Sequence, residues 1–83
     1  MVYVEAKAQK QLKKLPRNDR ERIIAVLNVL ENSGFSARID IKKLQGFQGH
    51  YRIRLGSYRI RFELSSDQSI IVYSISQREK AYE

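Results

Sequence analysis

The apolar positions change period along the chain. Residues 2–5, Val-Tyr-Val-Glu, alternate and predict a short strand. Ala8, Leu12 and Leu15 then recur at helical spacing over residues 6–15, with Lys7, Lys10, Lys13 and Lys14 on the remaining surface. Pro16 ends that helix, because it lacks an N–H and its ring collides with the preceding turn. A second helix is predicted over 18–33. Asn18 is its expected N-cap, with Glu21 three residues on as capping-box partner. Ile23, Ile24, Leu27 and Leu30 form its apolar stripe, with Val26 beside it, and Gly34 is the expected stop. These two N-terminal helices are expected to form an antiparallel pair laid on a sheet.

Residues 35–49 are less regular. Ile39, Ile41 and Leu44 are apolar, and Gly46 and Gly49 bracket a loop. Beyond them the period becomes two. Tyr51, Ile53 and Leu55 alternate with Arg52 and Arg54. After Gly56-Ser57, Tyr58, Ile60, Phe62 and Leu64 alternate with Arg59, Arg61 and Glu63. Alternation on both sides of a Gly-X pair signals a β-hairpin with a type II′ turn. Residues 65–69 read as a turn and the apolar run 70–76 as a central strand. The expected fold is α+β, with two helices on one face of a small, mainly antiparallel four-stranded sheet and little or no C-terminal helix. No linker or repeat divides residues 1–83, so one domain is expected.

The hairpin register carries the chemistry. If Leu55 faces Tyr58, then Arg54 faces Arg59 and Arg52 faces Arg61. Facing pairs share one side of a sheet, so four arginines project together and the apolar residues project toward the helices. Like charges placed opposite each other destabilise a sheet, and Glu63 is the only acid in the hairpin. Arg suits phosphate because its planar fork engages two oxygens; a solvated charged strand face and a docking patch for an acidic protein are the alternatives.

Composition narrows the partners. The 83 residues carry 16 Lys plus Arg against 9 Asp plus Glu, a formal net charge of +7. That bias favours a polyanionic partner: nucleic acid, an acidic protein or an anionic membrane. With no Cys and one His, neither a disulfide framework nor a thiolate or His-only metal site is expected. No small-molecule cofactor is expected. No apolar run approaches the ~20 residues of a membrane span, and the first ten residues lack a signal-peptide core. A cytoplasmic protein that does not engage membrane is the expectation. His50, alone before a strand, reads as incidental.

The element order, the segment KKLQGFQGHYRIRLGSYRIRFE and the closing SISQREKAYE together resemble the RelE/ParE toxin superfamily. The most specific pieces are Lys43-Leu44-x-Gly46, Tyr51-Arg52-Ile53-Arg54, Gly56-x-Tyr58-Arg59 and Arg78-Glu79-x-x-Tyr82. The resemblance implies the toxin of a type II toxin–antitoxin pair that cuts mRNA on the ribosome without a metal. The RNA 2′-hydroxyl attacks the adjacent phosphate, leaving a 2′,3′-cyclic phosphate and a free 5′-hydroxyl. By resemblance, Arg52 and Arg54 stabilise the transition state and Arg59 grips the phosphate. Arg78 stands at the leaving 5′-oxygen, and Tyr82 orients or activates the 2′-hydroxyl. Arg61 departs from the family, standing where relatives often carry an aliphatic residue, and with Lys43 it is expected as an accessory RNA contact. Well-known RelE enzymes carry Lys where this chain has Arg52 and Arg54. Charge stabilisation survives that exchange, but arginine is a poor proton shuttle. The implied partners are a cognate antitoxin, the ribosome and mRNA. Two other readings share the fold: a ParE-like inhibitor of DNA gyrase, and a non-catalytic nucleic-acid-binding relative.

Overall fold

The hairpin organises the structure. In the computed structural model, which describes residues 1–35 and 38–77, β3 (His50–Leu55) and β4 (Tyr58–Leu64) pair antiparallel around Gly56-Ser57. The register sets Leu55 opposite Tyr58, Arg54 opposite Arg59 and Arg52 opposite Arg61, as the alternation predicts. Gly56 has φ +58° and Ser57 is not in the left-handed region, which fits a type II′ turn.

The other elements extend this pair in both directions. β1 (Val2–Val4) leads into α1 (Ala6–Lys13) and α2 (Arg17–Ser33); β2 (Asp40–Lys43) precedes the hairpin and β5 (Ile70–Gln77) follows it. The sheet order is β1-β5-β4-β3-β2, antiparallel except for the parallel β1–β5 pair. The expected four strands are therefore five. The addition is β2, too short and too charged to read as a strand alone. Its pairing with β3 supplies the backbone partners that its own sequence does not advertise. Asp40, Lys42 and Lys43 are exposed, and such charges suit an edge strand because they discourage further pairing.

Because β1 and β2 lie at opposite edges, the segment carrying the helices must cross the whole sheet. The core lies between the helices and one sheet face: Ala8 from α1, Ile23, Leu27 and Leu30 from α2, and Ile53, Tyr58, Ile60, Phe62, Ile70, Val72 and Ile75 from the strands. Ile24, predicted in the stripe, turns outward and is 41% exposed, since the buried residues keep to a narrower i, i+4, i+7 row. The α2 start also differs from expectation. Pro16 occupies the N-cap and no side chain caps the helix, while Asn18 lies inside the first turn. Glu21 instead accepts from Arg17 Nε at 3.2 Å, an i, i+4 pair. Gly34 does stop α2, at φ +67°, with its N–H donating to the Leu30 carbonyl at 2.9 Å.

Two side chains tie the helices to the sheet. Gln11 Oε1 accepts from the Ile75 amide at 2.7 Å, on a stretch of β5 that the short β1 leaves uncovered. The Tyr58 hydroxyl donates to Asp19 Oδ2 at 2.7 Å, anchoring the hairpin to the start of α2. That bond, with partial desolvation, raises the Tyr58 pKa above its ordinary value.

Gly56→Ala should cost about 1–2 kcal/mol in urea denaturation, because an L-residue is strained at this φ; its Cβ would also stand 3.4 Å from Arg22 Nη2. In the β4–β5 turn, Asp67 accepts hydrogen bonds from Ser65 Oγ and the Ser69 amide, which lower its pKa from 3.8 to about 2. A depressed carboxylate contributes stability above its unfolded pKa and loses it as pH falls through the folded one. Asp67→Asn should therefore flatten the decline in thermal stability between pH 3.8 and about 2.

Candidate nucleic-acid interface

One face of the sheet is covered by the helices, and residues of the opposite parity line the other. The registers arrange this second face in rows. Lys42, Arg52, Arg61 and Ser74 form one row, from β2 to β5. Asp40, Arg54, Arg59 and Ser76 form the next. On the other side of the first row lie His50, Glu63, Ile71 and Tyr3. Opposed residues sit about 4.5–5.5 Å apart at Cβ, so five cations share a small area with two carboxylates at its margins.

The predicted arginines are thus brought together. Arg52 is 8% exposed, which is unusual for a cation. The Nε atoms of Arg54 and Arg61 are buried and meet no acceptor among the described residues. A buried donor without an acceptor costs roughly 1–3 kcal/mol. Phosphate oxygens have the charge and acceptor capacity to meet that demand.

Lys43 does not join this face. It lies opposite Tyr51, whose parity is that of the core, while Lys42 occupies the place beside Arg52. The Asp-Ile-Lys alternation of β2 held this information, but reading it required knowing that β2 pairs with β3. Arg78 and Tyr82, the two remaining predicted site residues, lie outside the described residues.

The row containing His50 holds a second group. His50 Nδ1 and the Tyr73 hydroxyl are 3.0 Å apart, and His50 Nε2 is 3.8 Å from Glu63 Oε2. The His50 ring also meets Phe47 and Tyr73, with centroids 5.9 and 5.5 Å away. His50 is therefore an engaged side chain rather than an incidental one. Tyr73 reaches it because β5 has a bulge. Arg61 pairs with Ser74 and Phe62 with Val72, so Tyr73 is the extra residue. The bulge also resets the alternation, which puts Ile75 in the core and Ser74 and Ser76 on the arginine face. Nothing in the run Ile-Ile-Val-Tyr-Ser-Ile-Ser announces that reset.

A fold of this topology with a phosphate-suited face is that of the RelE/ParE-type toxins. The chain belongs to the family described as ParE toxin of type II toxin-antitoxin system, parDE, which it matches over residues 2–82. Among curated relatives, Toxin RelE3 of Methanocaldococcus jannaschii is 37% identical over 76 residues, covering 89% of this chain and 85% of the relative. Putative toxin RelE1 of the same organism is 32% identical over 83 residues, covering 98% and 92%. Among solved structures, a chain of the RelB-RelE antitoxin-toxin complex from Methanococcus jannaschii superposes with a TM-score of 0.84 at 33% identity, over 96% of this chain and 94% of that one. A chain of the archaeal RelE-RelB complex from Pyrococcus horikoshii OT3 gives 0.79 at 27% identity, over 93% and 92%. The chain is a RelE-like toxin of the type II toxin–antitoxin class.

The opposed arginines should be detectable as a stability cost. Arg61→Thr should raise stability by about 0.2–1 kcal/mol at low salt, because it removes one like-charge pair from the sheet. The same change should weaken binding to a polyanion such as heparin and lower the salt dependence of that binding. Paired denaturation and binding titrations measure both.

Proposed function

We propose that this toxin is an endoribonuclease that cleaves mRNA on the ribosome without a metal and is held inactive by a cognate antitoxin. The observation that carries the proposal is the arginine face, four guanidinium groups in two opposed pairs on the sheet surface away from the helices. The 2′-hydroxyl of the RNA attacks the neighbouring phosphorus, and the bond to the 5′-oxygen breaks. Negative charge builds on the phosphoryl oxygens, and preorganised cations stabilise it. In this reading Arg59 grips the phosphate while Arg52 and Arg54 stabilise the transition state. Arg61 and Lys42 extend the contact along the backbone. Arg78 and Tyr82 are assigned the leaving oxygen and the 2′-hydroxyl by their match to the family pattern.

An antitoxin partner is supported by the Methanococcus jannaschii and Pyrococcus horikoshii relatives, each found in a complex with RelB. A segment folding over the helices would cover exposed apolar residues such as Ile24 and Val29. The reaction places the protein in the cytoplasm, where translated mRNA is found.

A second reading follows from the matched family's own description, which names ParE. A ParE-like toxin would act on DNA gyrase through protein contacts, and the arginines would not be catalytic. The named relatives favour the ribonuclease, since both curated matches are RelE toxins.

Arg59→Ala and Arg78→Ala should each abolish growth arrest on expression and lower cleavage by about 100-fold or more, with the fold intact. The assay is mRNA cleavage on programmed ribosomes, with the 3′ end of the product analysed. A 2′,3′-cyclic phosphate is the expected end. DNA damage with intact mRNA in expressing cells would instead establish the gyrase reading.

A further inference from the structure

We propose that Tyr73, His50 and Glu63 form the proton-transfer arm of the arginine face, with Tyr73 as the residue that contacts the 2′-hydroxyl. The proposal rests on the ribonuclease reading, leaves Tyr82 to orient the 2′-hydroxyl, and assigns the removal of its proton to Tyr73. The reaction must take a proton from the 2′-hydroxyl, and guanidinium groups, which stay protonated, are poor at doing so.

The geometry is that of a relay. His50 is on β3 and Tyr73 on β5, with β4 between them. Adjacent strands lie about 4.8 Å apart, so a bond between these side chains can form only by crossing over β4 on one face. His50 has the parity of Arg52 and Arg54, which makes that face the arginine face. The bulge that frees Tyr73 sits beside Arg61, so its side chain crosses next to the row of Lys42, Arg52 and Arg61. Bulges of this kind re-aim single side chains and are enriched beside active sites.

The charges around His50 determine the direction of transfer. Glu63 on β4 stands 3.8 Å from Nε2, and Tyr73 on β5 stands 3.0 Å from Nδ1. Arg52 on β3, Arg61 on β4 and Lys42 on β2 occupy the neighbouring row, and Tyr3 on β1 ends the row of His50 itself. The loop 44–49 contributes no titratable group. The carboxylate favours a proton on Nε2, which leaves Nδ1 to accept from the tyrosine hydroxyl. The order hydroxyl, imidazole, carboxylate is that of a base held by a third group.

The step balances. Tyr73 passes its proton to His50 Nδ1 as it takes the proton of the 2′-hydroxyl. The 2′-oxygen bonds to phosphorus, and the bond from phosphorus to the 5′-oxygen breaks. The leaving oxygen takes a proton from water, and the resulting hydroxide recovers one from the imidazolium through Tyr73. Glu63 stabilises the imidazolium while it exists. Tyr73 is then the catalytic residue, and His50 and Glu63 act through it.

The test is the single-turnover rate of mRNA cleavage on programmed ribosomes, followed from about pH 5 to about pH 9, across the range in which histidine titrates. Wild-type activity should fall on the acid side of this range. Tyr73→Phe, which keeps the ring contacts, should lose about 100-fold or more in rate with little change in KM. His50→Gln should lose a similar factor and its acid limb should be flat; Glu63→Gln should lose about 10-fold. Tyr73→Phe cleaving like wild type, a His50→Gln variant that keeps the acid limb, or losses confined to KM would each overturn the relay while leaving the cleavage reading intact. A wild-type protein that leaves mRNA whole would overturn both.

Discussion

Arg54 opposite Arg59 and Arg52 opposite Arg61 form the interaction on which the rest of the molecule turns. A sheet does not choose like charges on facing positions for its own stability, so the opposite face must hold the strands in register. It does so with Ile53, Ile60 and Phe62, each fully buried beneath the helices. A slip of one residue would move every arginine into the core and every apolar side chain into water. The unfavourable face is thus held in place by the cost of any alternative. That cost also preorganises the cations, which is what electrostatic stabilisation of a phosphoryl transition state requires.

The helices contribute more than burial. Tyr58 donates to Asp19 at the start of α2, and Gln11 accepts the amide of Ile75 on β5. The second satisfies an amide that the sheet alone leaves without a partner, and the first joins the hairpin to a helix. Together they secure the hairpin and the last strand, the two elements that carry most of the candidate interface. Among the described residues, the proposed site is confined to the sheet surface that the helices leave open.

That surface combines two kinds of chemistry. The arginine rows supply permanent positive charge. The His50 row supplies groups that can exchange protons, and the β5 bulge brings Tyr73 over β4 to join it. This division fits a chain that carries Arg at positions where lysine could have served both purposes. Arginine there gives bidentate contact with phosphate but transfers the proton problem to a neighbour.

Much of this is legible in the sequence alone. Period-two alternation around Gly56-Ser57 determined the hairpin, its turn type and the shared face of the four arginines, because a two-residue turn admits one register. Helical spacing and Pro16 determined the two helices. The remainder depended on long-range pairing. β2 is a strand only because β3 offers it partners, and that pairing selects Lys42 over Lys43 for the arginine face. Asn18 has the right chemistry for a cap, but Pro16 took the position. His50 has no local signal at all, since its partners lie 13 and 23 residues away in the sequence. Local periodicity determines which side of its own strand a residue faces. Only the packed sheet decides which strands are neighbours and where a bulge changes the count, and those two decisions brought Lys42, His50 and Tyr73 to the arginine face.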